Sequence, residues 1–419
     1  MKINFFLITL SLFSVIRVHS QYSSPYSQYG LGKIADPVTS SNNSCGGISA
    51  GYISPLNINI QNPASYSNSY LTTFEVGGFM EYGSYKVADS AYASGNGGMT
   101  HLAILLPLKS TKWGLAMGIQ PYSSVNLSFS STIQDPDLKK IYLLNTDEGS
   151  MYKAFIGTGY KIKNISIGVN IGLLWGGINK KYSYYVNDSF GRSFDNINNA
   201  SISAFHYNVG VQYYKTINKN LLLVLGLSGA TNTQAHGTNY GQINTWQYVG
   251  NTLVSDRAKR DTADFSFLIP GFIDFGFTLT KKNYLTLGMD FKMSNWSVMR
   301  YNINEKPLND KWSIHAGVEF KPINKENVKA KKYFNIIAYR AGASFGKSEQ
   351  NISNTFINTY SLHLGLGLPV KVPRVISYFN LGLEMGGRGM DNTYSNESYF
   401  KFNLFLTFAD KWFTRTKFE

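Results

Sequence analysis

The chain has 419 residues, of which only 15% are charged, 15% are aromatic and 39 are glycine. Soluble domains carry roughly 25% charged residues, so this composition does not favour an ordinary soluble protein. A single cysteine excludes an internal disulfide framework and a zinc site built from several thiolates.

Residues 1–20 have the pattern of a secretory signal peptide. Lys2 gives a positive start, residues 5–16 are apolar, and a cleavage site is predicted ahead of Gln21. The apolar run is too short to span a membrane, and a buried N-terminal helix is the alternative. Cleavage would lower the formal charge by two, from +14 to +12, because Lys2 and Arg17 are removed without any acid. Cys45 lies far beyond the cut, so we expect a buried, idle thiol rather than an acylated N-terminus.

Beyond this segment, apolar residues recur with a period of two. Residues 362, 364, 366 and 368 are all leucine, whereas His363, Gly365 and Gly367 alternate with them. A β-strand places two such sets on opposite faces, and a helix does not. The pattern predicts fourteen strands, at residues 71–86, 97–107, 112–130, 148–161, 164–181, 201–215, 219–235, 262–280, 283–299, 311–321, 334–346, 355–368, 375–387 and 397–410.

The even strand number suits a closed antiparallel barrel of the bacterial outer-membrane type. Six short turns alternate with seven longer connections, including polar loops predicted at 182–200 and 236–261. A soluble β-sandwich also alternates, but these strands exceed the usual five or six residues, and Tyr and Trp cluster near their ends. The predicted fold class is all-β: a transmembrane antiparallel β-barrel of about 14 strands at 71–410, with an N-terminal plug segment at 21–70 in the lumen and a periplasmic tail at 411–419.

The segment ahead of the barrel contains Gly30, Gly32 and the triplet Asn62, Pro63 and Ala64. With these residues, the plug-then-barrel order and the strand number, the chain resembles the FadL-type outer-membrane transporters of hydrophobic compounds, particularly divergent members from Bacteroidetes. The resemblance implies passive uptake of a hydrophobic, long-chain fatty acid-like molecule, which would leave sideways through a gap in the barrel wall.

In that family the gap is associated with a kink in the third strand, which here contains Gln120, Pro121 and Tyr122. Proline cannot donate to a β-ladder, so Pro121 predicts a local break in strand pairing. The alternative is that Pro121 lies above the membrane in an extended hairpin, where a break costs little.

The alternation rule also assigns polar and charged side chains to the lumen. Charges of both signs facing inward favour a hydrogen-bonded network that holds the plug over a catalytic set. The residues predicted for this lumen network are Glu75, Glu81, His101, His206, Asp290, His315 and Arg340. Inward glycines would leave volume for a plug or a ligand.

No sequence motif indicates an enzyme. The histidines are scattered, with His236 in a predicted loop, and there is no His-Glu-x-x-His pair or phosphate-binding glycine loop. We therefore expect no catalytic residues, no metal and no cofactor. The expected partners are outer-membrane lipid and a hydrophobic small-molecule ligand, and not nucleic acid. The alternative function is that of a FadL-like, non-transporting barrel that serves as a partner or shuttle in protein secretion to the cell surface.

The positive charge is concentrated in the predicted short turns and the C-terminal tail. The turns with their immediate flanks, at 107–112, 161–163, 215–219, 281–282, 321–332 and 371–374, and residues 410–419 together contain eighteen Lys and Arg, opposed by only Glu326, Asp410 and Glu419. A basic rim can reach lipid phosphates at the inner leaflet, which marks that rim as the periplasmic one. Ordinary solvated turns are the alternative interpretation.

Overall fold

The computed structural model describes residues 24–412 except 88–89, 135–139, 187–191, 250–251, 283, 301–307, 323–332, 353–354, 373–374 and 390–394. The predicted signal peptide, residues 1–20, and most of the predicted tail, 411–419, lie outside the described residues. What we call the N-terminal segment is residues 24–69, ahead of the barrel.

The N-terminal segment has little regular structure. It contains a 3-10 helix at Pro25–Gln28, the two-residue strand β1 at Lys33–Ile34, the single-turn helix α1 at Ser40–Ser44 and a second 3-10 helix at Pro63–Asn68. Sixteen further strands form the wall. They are β2 (Thr72–Val87), β3 (Ser90–Lys109), β4 (Trp113–Ile133), β5 (Ile141–Ile162), β6 (Ile165–Val186), β7 (Ser193–Asn218), β8 (Leu221–Ala230), β9 (Thr233–Val249), β10 (Thr252–Ile269), β11 (Phe272–Lys281), β12 (Leu285–Ser294), β13 (Lys311–Phe320), β14 (Ala338–Ile352), β15 (Thr355–Val372), β16 (Val375–Gly389) and β17 (Ser395–Asp410). Short 3-10 helices at Trp296–Val298 and Tyr333–Asn335 lie between strands.

The wall closes as a 14-stranded antiparallel barrel, which confirms the predicted strand number. The last strand, β17, pairs with the first, β2, from Ser395–Val87 to Asp410–Thr72. The count falls from sixteen to fourteen because β8 and β9 are one wall strand interrupted at residues 231–232, and β10 and β11 are another interrupted at 270–271. The second interruption contains Pro270, which cannot donate to a ladder.

The alternation places apolar side chains outside and polar ones inside. Leu362 and Leu364 of β15 are 60% and 50% exposed, whereas His363 between them is 7% exposed. The same contrast separates Ile167 and Val169, which are exposed, from Ser166 and Asn170, which are buried. An apolar exterior around a polar interior is the arrangement of a barrel that faces lipid, not of a sandwich with an apolar core.

The polar segments predicted as loops at 182–200 and 236–261 are mostly strand, so those two predictions are wrong. Strand β6 continues to Val186 and β7 begins at Ser193, while β9 and β10 pair along 233–269. His236, also predicted in a loop, pairs with Ser266 in this hairpin. The long strands extend the sheet beyond the lipid-facing band, where polar side chains on both faces meet water and hydrophobic alternation is no longer required.

The N-terminal segment contacts wall strands on opposite sides of the barrel. Helix α1 packs against β14, β15 and β16, whereas the 3-10 helix Pro63–Asn68 packs against β4, β5, β6 and β7. Its backbone approaches the wall closely at glycines: a Cβ on Gly168 would overlap Pro63, and one on Gly317 would overlap the Cys45 carbonyl. Inward wall glycines therefore make room for this segment.

Candidate functional site

A gap in the wall lies between β3 and β4. Among the described residues, their ladder runs from Lys109–Trp113 to Leu102–Ile119 and then stops, although both strands continue. Beyond Leu102 and Ile119, toward the long-loop rim, β3 keeps its pairing with β2 and β4 keeps its pairing with β5, but β3 and β4 no longer pair with each other. The next residues of β4 are the predicted kink, Gln120, Pro121 and Tyr122, and the β4–β5 register shifts between Pro121 and Ser123. The break in pairing thus falls at the proline, where a ladder donor is missing.

Strand β1 of the N-terminal segment occupies the open edge of β4. Lys33 pairs with Ser124 and Ile34 with Ser123, and the Ala35 N–H donates to the Tyr122 carbonyl at 2.9 Å. The Lys33 ammonium reaches across to the Glu81 carboxylate of β2 and forms an ion pair. Strand β1 therefore pairs with β4 at one edge of the gap and, through the Lys33 side chain, contacts β2, the strand behind the other edge.

Two glycines shape the approach to β1. Gly30 and Gly32 have φ values of +59° and +92°, a left-handed region that favours glycine. A Cβ on Gly32 would also overlap the Ser124 backbone. Both glycines of the predicted plug motif are thus required by the backbone, which turns here to bring β1 against β4.

Directly inside the gap lies what we call the upper apolar cluster. Its members come from the N-terminal segment, from β4 to β7, from β9 and β10 and from the connection after β12, and all are buried. They are Leu31, Val125, Met151, Leu174, Ile178, Ile202, Ala204, Ala235, Phe267, Ile269, Trp296 and Met299, with Ile34, Tyr122, Phe265 and Leu308 packed against them. An apolar region thus extends through an otherwise polar lumen from the gap toward the long-loop rim.

The lower part of the N-terminal segment packs against the wall beneath the gap. Ile58, Ile60 and Tyr66 pack with inward residues of the wall, including Leu105 and Phe155. The Tyr66 hydroxyl is 3.1 Å from the Asn170 amide oxygen, to which it donates a hydrogen bond. This side of the lumen is filled by packed side chains.

Buried wall carboxylates hold the backbone of the N-terminal segment. Glu75 accepts hydrogen bonds from the Ser40 N–H at 3.0 Å and from His101 Nε2 at 2.9 Å. Asp290 accepts from the Ala50 N–H at 2.8 Å and lies within 3.3 Å of the Ser49 hydroxyl. Charge-assisted bonds of this kind are shorter and stronger than neutral ones, so these carboxylates fix the position of the segment.

Other members of the predicted lumen network contact the segment directly or through one partner. His315 Nδ1 donates to the Gly46 carbonyl at 2.6 Å. Arg340 pairs with Glu319 at 2.7 Å, and Glu319 accepts a hydrogen bond from the Tyr52 hydroxyl at 3.3 Å.

His206 does not join these contacts. It is buried on β7 near Lys153, away from the carboxylates that hold α1. Among the seven predicted residues, the structure brings Glu75 and His101 into one pair and distributes the others around the wall.

The triplet Asn62, Pro63 and Ala64 begins the second 3-10 helix. The Asn62 side chain accepts from the Ala64 N–H at 3.2 Å, as an N-cap does, and donates to the Ala50 carbonyl at 2.7 Å. Pro63 occupies the first helical position, where no N–H is needed. The triplet thus has a local structural role, and Gly168 and Gly210 of the wall leave space for it.

Several contact residues were missed at the sequence level. Asn170, Asn208 and Gln212 donate side-chain amides to the carbonyls of Ile60, Gln61 and Ala50, at 2.9–3.1 Å. All three are buried inward positions, so the alternation rule could have found them. Lys33 lies in a segment without hydrophobic periodicity, so no sequence pattern indicated that it would contact the wall.

The surroundings of the N-terminal segment also shift the pKa values of two of its side chains, Asp36 and Cys45. Desolvation inside the barrel acts to raise the pKa of Asp36, which keeps contact with solvent, but Lys311, Lys401 and other cations outweigh that effect and lower this pKa to about 2. Burial raises the pKa of the Cys45 thiol to about 12, and its Sγ lies 3.7 Å from the Val318 carbonyl. Cys45 is therefore a protonated, enclosed thiol at neutral pH, without nucleophilic character.

In the part of the chain that the structure describes, no three His, Cys, Asp or Glu side chains come together as a metal site. Within the same ranges, no helix has the length and apolar character needed to cross a bilayer.

Comparison with known proteins shows one matching family and several solved structures with a similar fold. The model of the BamG family matches residues 1–419. No curated protein sequence matches the chain. Among solved structures, a Pseudomonas aeruginosa FadL homologue is similar with a TM-score of 0.62 at 10% identity, covering 91% of this chain and 100% of that chain.

Two solved transporters have the same fold. The Ralstonia pickettii toluene transporter TbuX gives a TM-score of 0.55 at 13% identity, covering 90% of this chain and 98% of its own. The Pseudomonas putida toluene transporter TodX gives a TM-score of 0.53 at 14% identity, covering 91% of this chain and 100% of its own. The predicted FadL-like barrel is thus confirmed as a fold, while a Bacteroidetes-type origin stays a prediction.

Proposed function

The chain belongs to the BamG family, and from this premise and its FadL-like fold we propose that it mediates passive uptake of hydrophobic small molecules, such as long-chain fatty acids, across the outer membrane. Structural neighbours described as toluene transporters support the hydrophobic class of the ligand. In this proposal the N-terminal segment is a plug, and the ligand leaves the lumen sideways through the gap between β3 and β4.

The observation that carries the proposal is the position of β1. It pairs with the open edge of β4 through only two residues, Lys33 and Ile34, and the upper apolar cluster lies directly behind it. Displacing β1 breaks a few backbone hydrogen bonds, each contributing about 1 kcal/mol net, and the Lys33–Glu81 ion pair, which are far fewer contacts than a full strand pair provides. An apolar solute in the cluster would thus have a route into the lipid, and in this proposal the side chains packed below the cluster bar the path straight down.

A reversible crosslink tests this route. Ile34 and Ser123 lie directly opposite in an antiparallel pair, a geometry within the reach of a disulfide. We expect oxidised Ile34→Cys/Ser123→Cys protein to reduce uptake of radiolabelled oleate by cells to the level of a deletion strain. Reduction with dithiothreitol should restore uptake. Cys45 is enclosed and protonated, so it should not compete for the crosslink.

The matched control is Ser344→Cys/Ser361→Cys. These residues face each other across the β14–β15 ladder, which continues on both sides of them, so a disulfide there should leave uptake unchanged. If the β1–β4 crosslink forms and oleate uptake persists, the gap is not the exit. If the deletion strain takes up oleate normally but loses secreted proteins from the cell surface, the secretion alternative replaces uptake.

A further inference from the structure

A cavity of about 430 Å³ opens at the short-turn rim, between the N-terminal segment and wall strands β5 to β8. Its polar lining includes Lys161, Lys163, Lys215, Asn164 and Thr216, and Ile53 of the N-terminal segment contributes an apolar side. The volume falls within the range of small-ligand sites, about 300–1,000 Å³. It lies at the opposite end of the wall from the upper apolar cluster, so it is separate from the proposed uptake route.

The charge around this cavity has a single sign. The three adjacent turns at 107–113, 160–166 and 213–222 contain six lysines and no Asp or Glu. Three of these lysines, Lys161, Lys163 and Lys215, line the cavity. The other three, Lys109, Lys112 and Lys219, are exposed on the same turns. Like charges repel, so holding three ammonium groups around one space favours an anion within it.

Lys161 is held in place by neutral partners. Its Nζ donates to the Asn68 side-chain oxygen at 3.0 Å and lies 4.0 Å from the centre of the Tyr214 ring. Both contacts orient the ammonium, and neither cancels its charge. The cavity thus has a pre-positioned cation on its inner side.

The cavity also reaches the lipid-facing side of the rim. On β7, Gln212 and Tyr214 are buried and face inward, whereas Tyr213 and Lys215 are exposed. Lys163 is exposed in the β5–β6 turn, with φ +52°. The lining therefore runs from Lys161, inside the barrel mouth, to Lys163 and Lys215, which are exposed at the rim.

We propose that this cavity binds a phosphate group, presented by a phospholipid headgroup of the inner leaflet or by a soluble phosphate ester. Lysine ammoniums bind phosphate as point charges, and the Asn164 amide and Thr216 hydroxyl supply further donors for its oxygens. The site goes beyond the proposed uptake function and does not depend on it. Both sources present the same phosphate group to the cavity, and each is tested with its own probe.

The test uses the full-length protein, with two probes. The soluble arm measures glycerol 3-phosphate binding by calorimetry in detergent, and the lipid arm measures retention of phosphatidylglycerol against diacylglycerol by native mass spectrometry. We expect wild-type protein to bind in one arm, which identifies the source. In that arm Lys161→Gln/Lys163→Gln/Lys215→Gln should weaken binding at least about tenfold, because each lost ammonium removes a charge-assisted contact.

The matched control is Lys109→Gln/Lys112→Gln/Lys219→Gln, which removes the same charge from the same sector without touching the cavity lining. It should bind within about twofold of wild type, since exposed charges at a distance are screened by salt. Equal losses in both triple variants, or no phosphate binding by wild type in either arm, would overturn the proposal. Lys163→Gln/Lys215→Gln retains the Lys161 contacts to Asn68 and Tyr214, so its weaker binding distinguishes lost affinity from a displaced N-terminal segment.

Discussion

At the scale of single residues, inward glycines determine how closely the N-terminal segment approaches the wall. A Cβ on Gly168 would overlap Pro63, one on Gly226 would overlap Ala50, and one on Gly317 would overlap Cys45. In each case the atoms met are backbone, which cannot move aside as a flexible side-chain end can. Glycine at these positions is therefore a packing requirement, not a consequence of strand flexibility.

We predict that Gly168→Val lowers the thermal stability of the protein. The added side chain would collide with Pro63 and Ala64, and overpacking of this kind costs about 1–3 kcal/mol or more. Thermal melts in detergent, followed by circular dichroism, would measure the change. Val169→Ile, one residue away and facing lipid, is the control that should melt like wild type. Equal melting of both variants would show that the segment does not press against this wall position.

The alternation rule predicted which wall residues face inward, because side-chain direction in a strand depends only on local backbone geometry. It did not predict their partners. Glu75 and the Ser40 N–H are separated by 35 residues in the chain, and Asp290 and the Ala50 N–H by 240. No local sequence pattern links residues so far apart in the chain. Their contacts in the lumen form only when the barrel closes.

At the scale of elements, the β9–β10 hairpin extends the wall beyond the lipid-facing band. Strand β9 pairs with the first half of β7, whereas β8 pairs with its second half. The sequence at 236–261 is polar and contains Gly237, Gly241 and Gly250, which is why it resembled a loop. Pairing with β7 and β10 provides the ladder that the local sequence did not indicate.

We expect the hairpin tip to be dispensable for barrel folding. Tyr240 and Thr262 pair across the hairpin, so residues 241–261 can be replaced by Asn-Gly, the favoured two-residue turn. Ala235, Phe267 and Ile269 of the upper apolar cluster remain. The shortened protein should keep the heat-dependent gel mobility of a folded barrel and melt within a few degrees of wild type. Loss of that mobility shift would show that the tip is part of the folding unit.

At the scale of the whole molecule, the proposed plug role of the N-terminal segment predicts how the barrel conducts. Barrels of about eight strands are filled by their own side chains, and those of 16–18 strands leave an aqueous channel. Fourteen strands lie near the open end of that range. In this chain, the buried segment and its hydrogen bonds to the wall occupy the space.

Deleting residues 24–69 should therefore convert the protein into an open pore. We predict little single-channel conductance from the full-length protein in a planar bilayer and steady conductance from the deletion variant. The hairpin-tip replacement, which leaves the segment intact, should behave like the full-length protein. Heat-dependent gel mobility would confirm that the deletion variant is a folded barrel. Equal conductance of the folded deletion variant and the full-length protein would contradict a plug.

The sequence by itself determined the strand number and the inward or outward direction of most wall side chains, because both depend on period-two alternation. The sequence also predicted the break in strand pairing at Pro121, where the β3–β4 ladder ends. Only the tertiary structure decided that β1 pairs with β4 at this gap, that polar segments continue as strands, and that three lysines line one cavity. The β1–β4 and β7–β9 pairs and the approach of Lys215 to Lys161 join residues far apart in the chain, so these contacts exist only once the barrel has formed.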